Sequence, residues 1–320
     1  MGKLGKYRLA FATLAGSLAF SAYANAADVV IGVPNWPSVR ATANILKVVM
    51  EDNLGLDVEL QNGTNPVVFE AMDKNSMHVH PEVWLPNQSN LHNTFVNDKG
   101  TVAYNTNGIE GFQGICVPKA YAEANGVTTI EDLIDPDKAA LFDGDGDGKG
   151  EIWIGAPGWA STNVEKIRAK SYGYGETLEL LEMDETLALA ALDKAVQQNS
   201  GWVGFCYAPH HMFVLHTLQI LEEPAYDAAK WTVLQPTDDP NWLEKSDAAV
   251  AWDLAYLHLH YARALEESAP EAVALLQNYK LDTDTLSGMT YALVVEKQDP
   301  VEFARKWVAE NPEIVNSWLQ

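Results

Sequence analysis

Only two cysteines, Cys116 and Cys206, occur in this chain of 320 residues. So few cysteines exclude a small scaffold held together by several disulfides, and also a zinc site built from pairs of cysteines. Both residues lie in apolar, strand-like runs, where a free cysteine behaves as a small buried hydrophobic residue. We therefore expect two free thiols. A disulfide stays open as the alternative, because the sequence does not show whether the two strands are neighbours.

Long hydrophobic runs are also missing from the sequence. The one apolar stretch near the start, residues 9–20, is too short to span a bilayer as a stable helix. It follows basic residues at positions 3, 6 and 8 and precedes Ala24-Asn25-Ala26, a pattern typical of a secretory signal peptide. We predict that residues 1–26 are a signal peptide cleaved after Ala26, and that the mature chain is exported into a bacterial periplasm.

Basic residues are scarce. The chain has 21 Lys and Arg against 44 Asp and Glu, a formal net charge of −23, and loss of the signal peptide removes three more basic residues. Such an acidic surface repels nucleic acid, so we expect no nucleic-acid partner. We interpret the charge mainly as a source of solubility, and we expect a monomer.

Catalytic signatures are absent as well. The sequence has no G-x-S-x-G motif, no P-loop and no catalytic Cys–His pattern, so we predict that the protein is not an enzyme. One alternative of another class remains, a metal-binding protein or metalloenzyme. His78, His80 and Glu82 alternate along a predicted strand and so share one face of it, but no helical pair of ligands completes the set.

Strand and helix signals alternate along almost all of the mature chain. Residues 29–97 follow a β-α-β-α-β order, which is typical of a parallel sheet covered on both faces. Three glycines in residues 108–114 indicate a crossover into a second α/β series, and the apolar run 250–259 predicts a strand that returns to the first. We predict an α/β clamp in which residues 27–110 and about 248–320 form lobe I, and about 111–247 form lobe II.

Four aromatic residues stand where predicted strands end. They are Trp36, Trp84, Trp159 and Tyr207, and each lies beside a proline, a glycine or a helix start. Ligands of open α/β sheets bind outside the carboxyl ends of the strands, so these rings share one predicted cleft. Large π faces attract a cation that offers no N–H group, which predicts a methylated ammonium as the ligand.

The turn after Trp159 predicts a site for an anionic group. Thr162 and Glu165 form the T-x-x-E pattern of a capping box, which leaves the N–H groups of Ala160 and Ser161 free at a helix start. Two carboxylates, Glu82 and Glu110, stand beside the predicted cleft and could attract the ammonium. Together these features predict a zwitterionic ligand.

An acidic, glycine-rich segment resembles the front half of a calcium loop. Oxygen ligands are available at alternate positions, but Ile154 replaces the glutamate expected at the twelfth position. The protein needs no cofactor on this interpretation, and a structural Ca²⁺ is the one ion that the segment predicts. The predicted ligands are Asp143, Asp145, Asp147, Lys149 through its backbone carbonyl, and Glu151.

These segments together resemble a known family, the substrate-binding proteins of ABC importers for glycine betaine, proline and related osmolytes, including those for trimethylamine N-oxide. The resemblance covers nearly all of the mature chain. The segments that carry it are Asn35-Trp36, Pro81-Glu82-Val83-Trp84, Ile109-Glu110-Gly111-Phe112, Leu141 to Gly150, Pro157-Gly158-Trp159 and Phe205-Cys206-Tyr207-Ala208-Pro209.

The resemblance implies a type II periplasmic-binding-protein fold, with two hinged lobes, each a mostly parallel sheet flanked by helices. It implies that Trp36, Trp84, Trp159 and Tyr207 form an aromatic box, and that membrane permease subunits receive the ligand. Gln88 stands where betaine-specific members often have histidine, and the surroundings of Glu110 are similar to those in the N-oxide binders. Glycine betaine, trimethylamine N-oxide and choline therefore all remain possible ligands.

Overall fold

The structure is a computed structural model and describes Gly2 and residues 27–320. The predicted signal peptide, residues 1–26, therefore lies almost wholly outside the described residues, and its cleavage after Ala26 stays a prediction. Of the helices in the described part, none combines the length and the apolar character that a membrane span requires.

Ten strands of the described chain join into one mixed sheet. Its strand order is β2-β1-β3-β10-β5-β8-β6-β7, with β4 paired to β10 and β9 paired to β5. The strands are β1 Val29–Val33, β2 Val58–Asn62, β3 Val79–Leu85, β4 Val102–Tyr104, β5 Ile109–Pro118, β6 Gly150–Gly155, β7 Leu178–Glu182, β8 Gly204–Ala208, β9 Leu218–Ile220 and β10 Ala255–Ala262.

Helices cover the sheet between these strands. They are α1 Pro37–Val49, α2 Asn65–Asp73, α3 Ser89–His92, α4 Lys119–Asn125, α5 Pro136–Ala139, α6 Ala160–Tyr172, α7 Glu185–Gln198, α8 Met212–Leu215, α9 Trp242–Lys245, α10 Leu265–Ser268, α11 Pro270–Asn278, α12 Thr283–Val294, α13 Pro300–Glu310 and α14 Pro312–Trp318. Short π-helical turns follow α1 at Met50–Leu54 and α3 at Asn93–Asp98, and 3₁₀ turns span Ile130–Ile134, Ala140–Phe142 and Ala228–Lys230.

The α/β class and the parallel start of the sheet agree with the prediction. β1 pairs in parallel with β2 and β3, and β6 pairs in parallel with β7 and β8. All five residues of β1 are buried, as expected for a central strand with helices on both faces. We call β2, β1, β3 and β10 the first half of the sheet, and β5, β8, β6 and β7 the second half.

The glycine-rich segment at residues 108–114 leads into the second half of the sheet, but it is mostly a strand and not a separate crossover. From Ile109 onward this segment belongs to β5, which pairs antiparallel with β10 at its start and with β8 further along. Gly111 permits the close approach, because a Cβ atom there would lie 2.7 Å from the carbonyl oxygen of Ala208. β5 therefore joins the two halves of the sheet, and the lobe boundary near residue 110 stays a prediction.

The returning strand is β10, and it lies later than predicted. It runs from Ala255 to Ala262 rather than over residues 250–259, and it pairs antiparallel with β3, β4 and β5. Residues 251–254 form no regular element although the run is apolar. Apolar composition alone therefore does not mark where this strand begins.

The expectation of two free thiols is wrong. The register of β5 and β8 places Gly114 opposite Cys206, and Cys116 opposite Gly204, so the cysteines lie diagonally across adjacent strands. Their Cα atoms are 6.0 Å apart, and the two residues form a disulfide. The pairing depends on strand neighbours 90 residues apart in the chain, which no local pattern reveals.

Candidate functional site

The four aromatic residues predicted at strand ends come together between the halves of the sheet. Trp36 occupies the N-cap position of α1 just after β1, and Trp84 lies near the end of β3. Trp159 caps α6 after β6, and Tyr207 lies near the end of β8. All four are buried and line one small cavity, and we call these four residues the aromatic cage.

Neighbouring rings of the cage stand almost at right angles to each other. The ring planes of Trp36 and Trp159 meet at 88°, with centroids 6.4 Å apart. Trp159 and Tyr207 meet at 86° over 5.7 Å, and Tyr207 and Trp84 meet at 87° over 5.5 Å. Edge-to-face contacts of this kind are favourable because a positive ring edge meets a negative ring face. They also turn successive faces in different directions, as the walls of a box require.

One carboxylate holds two of the rings. Glu82 Oε1 accepts hydrogen bonds from Trp36 Nε1 and Trp84 Nε1, both at 2.9 Å, and from Ser38 Oγ at 2.6 Å. The other oxygen, Glu82 Oε2, is buried and has no hydrogen-bond partner in the described chain. Glu82 itself does not line the cavity, so it lies behind the rings that it orients.

The other two rings have anchors of their own. Trp159 Nε1 donates to the carbonyl oxygen of Asn35 at 3.1 Å, which links the start of α6 to the turn after β1. The hydroxyl of Tyr207 donates to Glu185 Oε1 at 2.6 Å, and His210 Nε2 lies 3.1 Å from the same oxygen. His210 Nδ1 accepts from the Met212 N–H, so the Nε2 atom carries the proton and donates to Glu185.

The helix start beside Trp159 differs from the predicted capping box. α6 begins at Ala160, and the Thr162 hydroxyl donates to the carbonyl oxygen of Ala156 at 2.7 Å instead of capping the helix. Glu165 is fully buried and accepts from Trp252 Nε1 at 2.7 Å. The capping box is therefore wrong, because Thr162 bonds the turn before α6 and Glu165 bonds Trp252.

The two residues whose N–H groups the capping box was meant to expose nevertheless lie at the cavity. Ala160 and Ser161 occupy the first two positions of α6 and line the cavity beside the aromatic cage. Backbone N–H groups of a first helical turn have no intrahelical acceptor, and the helix dipole adds partial positive charge there. This end of the cavity suits a carboxylate.

Amide side chains form the remaining wall, and most of them were missed in the sequence. Asn87 and Gln113 exchange two hydrogen bonds, at 2.5 and 3.0 Å. Gln88 is buried beside them, and its Oε1 atom has no partner in the described chain. Asn65 lines the cavity while its Oδ1 atom lies 3.0 Å from His80 Nε2. Single amides carry no sequence signal, although a strand position such as Gln113 could have been placed by counting alternate residues.

Burial and hydrogen bonding act in opposite directions on Glu82. Burial raises its pKa to about 7, although the hydrogen bonds from Ser38, Trp36 and Trp84 stabilise the charged form. The neighbouring His80 is fully buried, and burial lowers its pKa to about 3, so it is neutral. A carboxylate that titrates near neutral pH therefore lies directly behind a cage of π faces.

A family model described as the substrate-binding domain of an ABC-type glycine betaine transport system matches residues 27–310. The chain belongs to this family. Members of the family are substrate-binding proteins, which agrees with the prediction that the chain is not an enzyme.

Individual relatives within this family are distant. The chain is 30% identical over 98 residues to the glycine betaine-binding periplasmic protein OusX of Dickeya dadantii. This matched stretch covers 31% of this chain and 30% of that protein. It is 22% identical over 213 residues to a glycine betaine/proline betaine-binding periplasmic protein of Salmonella typhimurium. That match covers 65% of this chain and 63% of the relative. The chain thus spans less than two thirds of the length of either relative.

The fold is similar to that of a solved binding protein. Lactococcal OpuAC in its closed, glycine betaine-bound conformation superposes with a TM-score of 0.71, covering 91% of this chain and 99% of that one. The two sequences are 19% identical, so this likeness concerns the fold. It confirms the predicted class, a mixed α/β fold of the periplasmic binding-protein type.

Glu110 lies apart from the aromatic cage. Its side chain is exposed on β5, and it is not among the residues that line the cavity. Its backbone carbonyl accepts from the Thr283 hydroxyl, which ties β5 to the start of α12. Alternation along the strand explains the outcome, because Gly111 faces the sheet interior and Glu110 faces outward.

The three predicted metal ligands, one just before β3 and two on it, serve separate partners. His78 Nδ1 accepts from the Val30 N–H at 2.9 Å, His80 contacts Asn65, and Glu82 holds the tryptophans. The substrate-binding family and this division of roles support the main interpretation over the metalloprotein.

Within the described part of the chain, one cluster has carboxylates close enough to share an ion. Ligand atoms of Asp143, Asp145 and Glu151 lie within 4.8 Å of one another, whereas Asp147 and Lys149 are not part of this group. Asp143 also accepts hydrogen bonds from the N–H groups of Gly146 and Gly148. Because an acidic turn can be held by such bonds alone, the structural Ca²⁺ stays a prediction.

Proposed function

We propose that this protein is the periplasmic substrate-binding component of an ABC importer for glycine betaine or a related methylated ammonium osmolyte. The observation that carries the proposal is the aromatic cage, four rings whose successive planes meet at nearly right angles, with the carboxylate of Glu82 bonded to two of them. A quaternary ammonium has no N–H to donate, so ring faces and a nearby negative charge are the groups able to recognise it.

The opposite end of the cavity supports a zwitterion. The N–H groups at the start of α6, on Ala160 and Ser161, would bind the carboxylate of glycine betaine while the methyl groups occupy the cage. The cage rings come from both halves of the sheet, so a bound ligand would hold the two proposed lobes together. Membrane permease subunits would then receive the ligand from a monomeric protein, and no reaction is catalysed.

A second ligand is favoured by one atom. Gln88 Oε1 is a buried acceptor without a hydrogen-bond partner in the described chain, and Gln88 lines the cavity. The hydroxyl of choline could donate to it, whereas glycine betaine has no donor to offer. Choline is therefore the second candidate, and trimethylamine N-oxide the third.

A structural Ca²⁺ at Asp143, Asp145 and Glu151 is proposed separately, from the proximity of their carboxylates. Titration calorimetry of chelator-stripped protein tests this proposal. No heat of binding at millimolar Ca²⁺ would contradict it.

A ligand panel tests the function. Purified mature protein is titrated with glycine betaine, choline, trimethylamine N-oxide and L-proline, and both thermal midpoint and affinity are measured. A ligand that binds only the folded state raises the midpoint, so the preferred methylated ammonium should give the largest rise. Tight binding of L-proline with no response to any methylated ammonium would contradict the proposal.

Trp159→Ala tests the aromatic cage. A cation–π contact with a desolvated ammonium contributes about 2 kcal/mol, so affinity should fall at least tenfold. Tyr256→Ala is the matched control, because that aromatic residue is 40% exposed on β10 and does not line the cavity. Equal affinities of the two variants would contradict the cage.

A further inference from the structure

Glu82 is a buried carboxylate whose hydrogen-bond donors are all neutral. Its Oε1 atom accepts from two indoles and one hydroxyl, and its Oε2 atom accepts from nothing in the described chain. Only 1% of the residue is exposed. A buried charge normally needs a paired charge of opposite sign, because desolvation is otherwise costly.

The titratable groups that face Glu82 do not supply that charge. His80, two residues earlier on β3, accepts the Glu82 N–H at Nδ1, and burial lowers the His80 pKa to about 3. Tyr207 on β8 and Tyr279 after α11 are neutral, since burial raises the pKa of each phenol. The next ionisable pair, Glu185 and His210, lies beyond the hydroxyl of Tyr207.

The position of Glu82 relative to the rings indicates what balances its charge. The carboxylate holds Trp36 and Trp84 by their Nε1 atoms, and the same two rings line the cavity. A cation against the faces of those rings would therefore lie near the carboxylate, which bonds their edges. In a desolvated site the attraction between the two charges is far stronger than in water.

We propose that Glu82 is the counter-ion of the bound ammonium and that ligand binding expels a proton from it. The proposal rests on the proposed function, since it requires a methylated cation in the aromatic cage. Unliganded protein near neutral pH carries a mixture of protonated and charged Glu82. The ligand's fixed positive charge favours the carboxylate form, and the proton goes to the solvent. Binding and ionisation are therefore linked, and each strengthens the other.

The linkage fixes the sign and the size of the pH dependence. Below the point where unliganded Glu82 ionises, binding must remove a proton first, so affinity falls as the pH falls. With half-ionisation near pH 7, affinity for choline should be about tenfold weaker at pH 6 than at pH 8, and nearly constant above pH 8. Choline itself does not titrate in this range, so the protein is the source of the proton.

Titration calorimetry in buffers of different ionisation enthalpy measures the proton directly. Wild-type protein should release close to one proton per choline at pH 6 and almost none at pH 8.5. The uncharged isostere 3,3-dimethylbutan-1-ol, which replaces the ammonium nitrogen by carbon, should release none. This measurement uses the unmodified protein and therefore does not depend on how well a variant folds.

Two variants assign the proton. Glu82→Gln keeps an oxygen acceptor for the tryptophans but cannot ionise, so its choline affinity should be at least tenfold weaker at pH 8 and flat between pH 6 and 8. Glu185→Gln is the matched control, because Glu185 is the other buried carboxylate that bonds a ring of the aromatic cage, through Tyr207, and it is also the partner of His210. It should retain the pH slope.

The outcomes separate this proposal from the proposed function. Choline or glycine betaine binding tightly without proton release or pH dependence would overturn the counter-ion role and leave the function standing. Loss of the slope in Glu185→Gln, with the slope kept in Glu82→Gln, would also overturn it. Failure of every methylated ammonium to bind would overturn both.

Discussion

A single oxygen, Glu82 Oε1, organises half of the aromatic cage. It accepts from Trp36, Trp84 and Ser38, which come from the start of α1 and from β3. On the proposed function, single residues of this kind would determine which ligand chemistry the cavity accepts, since ring faces, one carboxylate and a few amides line or support it. Residues outside that set should not affect affinity, even when the sequence makes them attractive candidates.

Glu110 provides the test at this scale. Its side chain is exposed and does not line the cavity, so Glu110→Gln should leave the affinity for glycine betaine within about twofold of wild type. Calorimetry at pH 8 makes the comparison. A tenfold loss would instead support the sequence-based prediction that Glu110 contributes to ligand binding.

At the scale of elements, the start of α6 contributes through its backbone rather than its side chains. Trp159 belongs to the cage, and the next two residues begin α6 and line the cavity. A carboxylate there would gain hydrogen bonds from the backbone and from the helix dipole. The contribution of the element can be separated from that of the ring by removing one N–H group.

Ala160→Pro removes that N–H with little cost to the helix. Proline is well tolerated at the first helical position, and Trp159 before it already has the extended backbone that proline requires, with φ −78° and ψ 138°. A hydrogen bond to a charged group contributes about 1.5–3 kcal/mol, so glycine betaine affinity should fall at least tenfold. Choline, which has no carboxylate, is the internal control and should lose little. An equal loss for both ligands would point to a distorted cage instead.

Local patterns predicted the strands and the ring positions, because these depend on residues close in sequence. The buried run Val29–Val33 and the turn at Trp36 are examples. What failed depends on partners outside the local motif. Thr162 and Glu165 match a capping box, yet Ala156 and Trp252 are their actual partners. Likewise, the disulfide and the role of Gln113 follow from the pairing of β5 with β8 and from the contact with Asn87.

At the scale of the whole molecule, one ionisation couples stability to pH. The pKa of Glu82 is raised from about 4.5 in the unfolded chain to about 7 in the folded protein. The folded state therefore binds more protons between these values. Stability from this group is greatest at pH values below 4.5, is lost as the pH rises to 7, and then stays constant.

Chemical denaturation of unliganded protein measures this contribution. Between pH 5 and pH 7.5 the unfolding free energy of wild type, relative to that of Glu82→Gln, should fall by up to about 3 kcal/mol. The difference between the two proteins matters, because other groups titrate equally in both. A difference that does not change with pH would show that Glu82 ionises normally in the folded state.

The shared anchor of Trp36 and Trp84 has a consequence for how this cage can change over generations. A substitution at Glu82 disturbs both rings at once, whereas Trp159 and Tyr207 are each tied to a separate acceptor, the carbonyl of Asn35 and the carboxylate of Glu185. Mutations at the first pair should therefore be strongly epistatic through Glu82, whereas mutations at the second pair should be coupled only through the contact between their rings. New ligand preferences would arise more readily through Trp159 and Tyr207, while the pair that shares Glu82 is inherited as a unit.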